Sequence, residues 1–328
     1  MGTAGAPLDR PARPTRSSIV KAFITVAAVA LATLIAAQGA GAQTGTTRNG
    51  ELVADGAWCW FQDPRALHYV GAHDRTYIGY VNSHGDVEIV SQDAGTAALR
   101  HTTLHAAFQA DDHAAPGLVA LPDGRIAVFY AAHTGKQMIY RISQHAEDIT
   151  AFGRELTVAT NTGTTGWYTY ANPIYLSAER RLYLFFRGGD SRPTMTSTTD
   201  FKTWTKAVDV VVPDHTPYLT RPYAKYATNG KDTIAITFTD GHPDELRQAA
   251  KPNSVYTMIY QDGVLSAPDG TELTEPAASG EQDLNTALAA GPVHTDLLHK
   301  GAHGAVVYDA PDYTQPAWLE MHTVMRPG

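Results

Sequence analysis

Short apolar runs broken by turns, a unit recurring about every fifty residues and a polar turn repeating at that interval predict an all-β chain, folded as a β-propeller. The first observation removes helical classes, because apolar residues at helical spacing are nearly absent beyond residue 42. The second sets the architecture. His73–Tyr80, Pro122–Tyr130, Ala178–Phe186 and Asn229–Phe238 each read as a turn followed by a strand that ends on an aromatic. Their terminal aromatics, Tyr80, Tyr130, Phe186 and Phe238, are 50, 56 and 52 residues apart. A second strand follows in the first three units, at Val87–Asp93, Met138–Gln144 and Thr194–Asp200. The third observation is the turn these strands lead into. Thr198-Thr199-Asp200-Phe201-Lys202-Thr203-Trp204 is a degraded copy of the Ser-x-Asp-x-Gly-x-Thr-Trp turn known as the Asp-box. Ser91-Gln92-Asp93-Ala94-Gly95-Thr96 is a partial copy and Ser143 opens a poorer one. A β-sandwich is the weaker alternative, since its strands rarely repeat at a fixed long period.

At the N-terminus, Arg10, Arg13, Arg16 and Lys21 precede an uncharged run rich in Ala, Val and Leu from Ala22 to Ala37. Ala40-Gly41-Ala42 is placed for cleavage before Gln43. This is the layout of a secretory signal peptide, and the apolar run is short for a membrane span. Residues 1–42 are expected to be removed, leaving 43–328 as a single exported propeller domain. Removal takes four basic groups and Asp9, so the formal net charge moves from −8 to −11. An acidic surface argues against nucleic acid or an anionic membrane as partner, while local arginines and histidines can still form a basic pocket. Cys59 is the only cysteine, so stability comes from the core and not from an internal disulfide.

Roughly 285 residues suffice for five to six units. The pattern weakens after Tyr260-Gln261-Asp262-Gly263, and Ala277–Pro292 reads as loop. A last strand-like run, Gly304–Tyr308, ends 70 residues beyond Phe238. The tail Ala310–Gly328 shows no closing strand, so the propeller is expected to be small or to stop before closure.

The repeat also places the chemistry. His133 lies three residues beyond Tyr130, Arg187 one beyond Phe186, and Asp240 and His242 two and four beyond Phe238. Asn82 and His84 hold the corresponding places in the first unit. Equivalent positions in a propeller lie on one face around the axis, so these residues are expected to converge on one funnel. His113, Tyr168 and Tyr170 lie in the same stretch of chain. An imidazole, a phenol and a guanidinium together can move a proton beside a carboxylate. Singly, each has a plain reading: His113 as a cap, His133 bonded to a loop carbonyl, the tyrosines as strand packing, Arg187 as a strand-end charge. Their joint placement favours function. Asp240-Gly241-His242 offers two metal ligands, too few for a zinc site, and His294, His299 and His303 are too irregular to complete one. No cofactor is expected for catalysis, and a structural metal ion is left open.

Several motifs carry a resemblance. They are Trp58-Cys59-Trp60-Phe61-Gln62-Asp63-Pro64-Arg65, Asp111-Asp112-His113 with Pro116, Tyr170-Ala171-Asn172-Pro173, Leu182–Arg187, Arg221-Pro222-Tyr223 and Thr239-Asp240-Gly241-His242-Pro243. Together, over roughly Asp55 to Gly270, they resemble the BNR-repeat-containing family. That family includes polysaccharide lyases of the ulvan lyase type, families 24 and 25, and related lyases cutting rhamnose–glucuronate linkages. The resemblance implies a seven-bladed propeller, hence blades beyond those this chain supplies, and β-elimination at a uronate. It implies His113 and Tyr170 as the proton-transfer pair with His133 beside them, and Arg187 as the group that neutralises the uronate. It also implies Arg221 and Tyr223 as substrate contacts, with Tyr168 a competitor to Tyr170 and Asn172 and Arg65 as further binding residues. The expected partner is an acidic polysaccharide, met by a secreted monomer.

Two other classes fit part of the pattern. A sialidase-like glycoside hydrolase also carries Asp-box turns, but it would need Arg65, Arg187 and Arg221 on one carboxylate and leaves the histidines unexplained. A non-catalytic carbohydrate-binding propeller would keep the funnel without the chemistry.

Overall fold

The computed structural model describes residues 43–45, 51–59, 61–213, 221–273, 288, 292–295, 305–317 and 323–325. The expected signal peptide 1–42, Trp60, most of Ala277–Pro292, His299, His303 and the side chain of His294 lie outside the described residues.

Four antiparallel sheets follow one another along the chain, which makes the protein all-β. The first contains β1 (Gln43–Gly45), β2 (Ala66–Val70), β3 (Asp74–Val81), β4 (Val87–Asp93) and β5 (Leu99–His105), in the order β1-β5-β4-β3-β2. The second runs β6 (Gly117–Ala120), β7 (Ile126–Tyr130), β8 (Met138–His145), with β9 (Asp148–Phe152) and β10 (Leu156–Val158) both on β8. The third is a plain meander of β11 (Thr169–Leu176), β12 (Arg181–Arg187), β13 (Pro193–Thr198) and β14 (Val208–Asp209). After β15 (Val211–Val212) the fourth sheet takes β16 (Ala224–Thr228), β17 (Thr233–Thr239), β18 (Val255–Gln261) and β19 (Val264–Ser266). β20 (Val293–His294) pairs parallel with β15. The strands read from the repeat are β3, β7, β12 and β17, the second strand of every sheet once β1 is set aside, and their followers β4, β8 and β13 are then third strands.

Alternation explains why the sheets stack. In a strand successive side chains point to opposite faces, so one apolar run can serve two interfaces. Ile126, Val128 and Tyr130 of β7 pack with Tyr77 and Ile89 of the first sheet. Ala127 and Phe129 of the same strand pack with Leu182, Leu184 and Phe186 of β12. Tyr183 and Phe185 then meet Ile234, Ile236 and Phe238 of β17. The second and third sheets are thereby sandwiched between their neighbours, the packing of propeller blades. The outer face of the first sheet, through Tyr80, Val90 and Leu99, is covered by Leu52 and Val53.

The polar turns are built as expected. The Asp200 carboxylate accepts from the backbone N–H of Lys202 and Thr203 and from Thr198 Oγ1. Asp93 accepts from the N–H and hydroxyl of Thr96. In the second sheet the task passes to Glu147, whose carboxylate reaches across to the N–H groups of Ala72 and His73 in the first.

Two expectations change. The run ending at Tyr308 is a strand, β21 (Val306–Tyr308), but it opens no further unit. It pairs with the beginning of β18, beyond the stretch that β19 covers, and so completes the edge of the fourth sheet. Nor does the first sheet contribute to a funnel through Asn82 and His84. Asn82 spends its side chain on the N–H groups of His84 and Asp86 and on the Asp86 carboxylate, closing the β3–β4 turn, and His84 is exposed.

The first strands β2, β6, β11 and β16 line a cavity of about 570 Å³. At one end it meets Asp63, Pro64, Arg65, Asn172 and Lys225. Lys225 is buried and ion-paired with Asp63, which also faces Arg65 at 3.5 Å.

Candidate active site

One set of turns gathers the reactive groups. They lie at the starts of the first strands and the ends of the second strands of the second, third and fourth sheets, the latter being the positions the repeat aligns. The crossing before β6 carries His113 in a short 3-10 turn, Asp112–Ala114, capped by Asp111, whose side chain accepts from the His113 N–H. The turn after β7 carries His133, anchored by its N–H donating 2.7 Å to Gln109 Oε1. Tyr170 is the second residue of β11, Arg187 ends β12, and Tyr223 precedes β16.

The rings of His113 and His133 stack 3.8 Å apart and 4° from parallel. His113 in turn lies 5.3 Å from the ring of Tyr170. The buried Arg187 guanidinium sits over the other side of this group, its Cζ 4.6 Å from the Tyr170 centroid and its Nη1 3.5 Å from Tyr223 Oη. Beneath them Phe61 packs 5.4 Å from Tyr170 and 4.6 Å from Tyr223. The carboxylate of Asp111 faces both imidazoles, at 2.7 Å from His113 Nδ1 and 3.1 Å from His133 Nδ1.

Local backbone explains the phenol's aim. β11 is irregular between Thr169 and Asn172, and Tyr170 there takes φ +61°, a conformation costly for a side-chain-bearing residue. Asn172 holds it: its Nδ2 donates to the carbonyls of Tyr170 and Phe61, while its Oδ1 accepts from Asp63 N–H. Asn172 thus ties the segment 61–65 into place as a partition, with the site on one side and the cavity on the other.

Burial and charge set the protonation states. Burial raises the Tyr170 phenol well above its ordinary value, against the opposing pull of Arg187, so it is a protonated donor at neutral pH. Burial lowers His133, helped by the adjacent His113 imidazole and opposed by Asp111. Burial would raise Asp111, but the N–H of His113 and the two imidazoles outweigh it and bring the carboxyl down to about 2.

Arg221 lies on the same rim with its guanidinium closed on the Glu245 carboxylate, Nε to Oε2 at 3.2 Å. Arg65 is remote from the imidazoles: it pairs with Asp63, stacks 4.6 Å over Trp58 and faces the cavity. Tyr168 is displaced from the competition with Tyr170. Its ring stacks on Phe186 inside the second interface and its hydroxyl donates to the carbonyls of Val158 and Thr160.

Asp240 and His242 do not form a metal pair. The buried Asp240 carboxylate accepts from Ser254 N–H and Tyr256 Oη. His242 caps helix α1 (Pro243–Gln248), its Nδ1 accepting from Asp244 N–H, and its ring meets Tyr223 edge-on at 5.7 Å. Among the described residues the metal-ligating atoms that cluster are those of Asp111, His113 and His133. In this arrangement the Asp111 carboxylate takes both imidazole Nδ1 atoms by hydrogen bonds. Phe61, Asp111 and Glu245 were not assigned from sequence. Asp111, two residues before a histidine at a capping position, carried the clearest signal.

The fold is shared with known enzymes. A polysaccharide lyase, the PL25 ulvan lyase bound to -[GlcA(1-4)Rha3S]-, superposes with a TM-score of 0.60 at 18% identity, over 80% of this chain and 63% of that one. A second structure of a PL25 ulvan lyase gives 0.56 at 18% identity, over 82% and 62%. The chain therefore spans under two thirds of those lyases' length. None of the curated proteins matches the chain. Residues 75–301 match the family described as BNR repeat-containing family member, a stretch that holds both imidazoles, Tyr170, Arg187 and Tyr223, and the chain belongs to that family.

Proposed function

We propose that this protein is an exported polysaccharide lyase that cleaves a uronate-containing glycan by β-elimination. The observation that carries the reading is the placement of Arg187, a buried guanidinium stacked on a protonated phenol beside two imidazoles. Removing the proton alpha to a carboxylate builds negative charge on a group already charged. A guanidinium on that carboxylate offsets the charge and acidifies the proton, with Tyr223 Oη helping to hold it. The imidazole pair then takes the proton, and the Tyr170 hydroxyl donates to the departing glycosidic oxygen. The pair of flanking carboxylic acids that a standard glycosidase uses is not required. The shared fold with a lyase bound to a glucuronate–rhamnose sulfate fragment supports that substrate class. The leader-like segment at residues 1–42 supports export. A sialidase-type carboxylate clamp is disfavoured, because Arg65 and Arg221 are engaged by Asp63 and Glu245 and do not join Arg187.

The test is ultraviolet absorbance during incubation with a glucuronate–rhamnose polymer and, separately, a sialoglycan. Elimination leaves a 4,5-unsaturated uronate that absorbs, so a rise with the first polymer is expected. Reducing sugar or free sialate without that rise would overturn the lyase in favour of a hydrolase. Binding without either would leave a carbohydrate-binding propeller.

A further inference from the structure

We infer that Asp111 is a positioning residue that locks both imidazoles in one tautomer, with the proton on Nδ1 and the lone pair of Nε2 left for the substrate. Its effect on rate rests on the lyase reading above; the tautomers themselves do not.

An ionised carboxylate has only acceptors to offer. Asp111 Oδ1 stands 2.7 Å from His113 Nδ1 and Oδ2 stands 3.1 Å from His133 Nδ1, so each Nδ1 must be the donor. Because the rings are stacked nearly parallel, one acid orients both. Neither Nε2 has a hydrogen-bond partner among the described residues, and these atoms lie on the ring edges away from Asp111. A base needs a bare lone pair aimed at the proton it removes, and a neutral imidazole left to itself divides its proton between the two nitrogens. Asp111 removes that ambiguity for two bases at once.

The two histidines depend on Asp111 unequally. His113 Nδ1 also lies 2.8 Å from Asp112 Oδ1, whereas Asp111 is the one carboxylate bonded to His133 among the described residues. Asp111→Asn therefore separates the roles. Asn is as good a cap as Asp, so it keeps an oxygen for the His113 N–H and preserves the turn. It then presents an amide NH2 where Oδ2 faced His133, and a donor there drives the His133 proton to Nε2.

The experiment is long-range ¹⁵N–¹H correlation spectroscopy of histidine-labelled protein, read beside steady-state kinetics. In the wild type both histidines are expected as Nδ1–H tautomers. In Asp111→Asn, His133 is expected to switch to Nε2–H while His113 stays. kcat should fall about 10²–10⁴-fold with KM within about threefold, the size of effect a reversed catalytic tautomer produces. Asp112→Asn should leave both tautomers in place. A wild-type His133 protonated at Nε2 would overturn the assignment without recourse to any variant. So would an unchanged His133 tautomer in Asp111→Asn. Correct tautomers in a protein that eliminates no uronate polymer would instead sink the lyase reading and leave the Asp111 assignment standing.

Discussion

Tyr168 and Tyr170 are two positions apart, and a regular strand would point both the same way. That is why the sequence leaves them as competitors. The irregularity of β11 between Thr169 and Asn172 and the positive φ of Tyr170 turn one phenol into the site while the other stays between sheets. Neither feature has a local signature, since both are held by Asn172 bonding to Phe61 and Asp63, more than a hundred residues upstream. Tyr170→Phe is expected to lower kcat about 10²–10⁴-fold, the usual contribution of a general acid. Tyr168→Phe should leave kcat within about twofold and cost about 1 kcal/mol in thermal unfolding for its lost hydrogen bonds. Arg187→Lys tests the carboxylate anchor. A point charge cannot reproduce a planar fork that both stacks on Tyr170 and reaches Tyr223, so kcat/KM should fall about 10²-fold. The imidazoles give a pH signature. Burial and the adjacent ring keep His133 neutral below its ordinary range, so the acid limb of the kcat/KM profile should lie below about 6.5. A limb well above that value would mean an imidazolium and a different base.

At the scale of strands and turns, what the chain repeats is what could be read from it. β3, β7, β12 and β17 were legible because alternation and a terminal aromatic are local properties. The joining of β21 to β18 was not, because a three-residue strand carries no record of its partner. The funnel positions bring His133 and Arg187 together in the second and third sheets, but in the fourth Asp240 is spent on Ser254 and Tyr256, and in the first Asn82 supplies turn bonds that its residue type alone does not distinguish from a ligand contact. Asp111 and Phe61 stood inside recognised motifs, yet their partners lie across sheets. Beneath the site β6 and β11 come unusually close. A Cβ placed on Gly117 would stand 2.4 Å from the carbonyl oxygen of Ala171. This approach sets His113, four residues before Gly117, against Tyr170, the neighbour of Ala171. Gly117→Ala is expected to force the two strands apart, costing about 1–3 kcal/mol. It should lower kcat more than conversion of an exposed glycine such as Gly95. Melting temperature and kcat measured on the same two variants check both halves of that statement.

For the molecule as a whole, acid is the expected route to collapse. The Glu147 carboxylate stitches the second sheet to the first. Burial alone would raise its pKa, but the N–H groups of Ala72 and His73 outweigh this and lower it. Asp111 is lowered in the same way, to about 2. A carboxyl whose folded value lies below its unfolded one contributes stability above the unfolded value, and that stability drains as pH falls through the folded one. The melting temperature should therefore hold above about pH 5 and drop steadily between about 4 and 2. Glu147→Gln should flatten part of that slope. A melting curve indifferent to pH in this window would remove the carboxylates from the account.

The stacking of sheets has a consequence in time. Apart from the segment 61–65, which reaches Asn172 and Lys225, each sheet packs mainly on those beside it, so the seams between sheets can open at separate rates. The reactive groups are divided among the second, third and fourth sheets, with a proton carrier on one and a guanidinium on the next. On the proposed mechanism turnover needs two seams closed and should cease when either parts, even while most of the backbone remains protected from exchange. Loss of turnover on warming would mark the first seam to open, ahead of the melting of the whole.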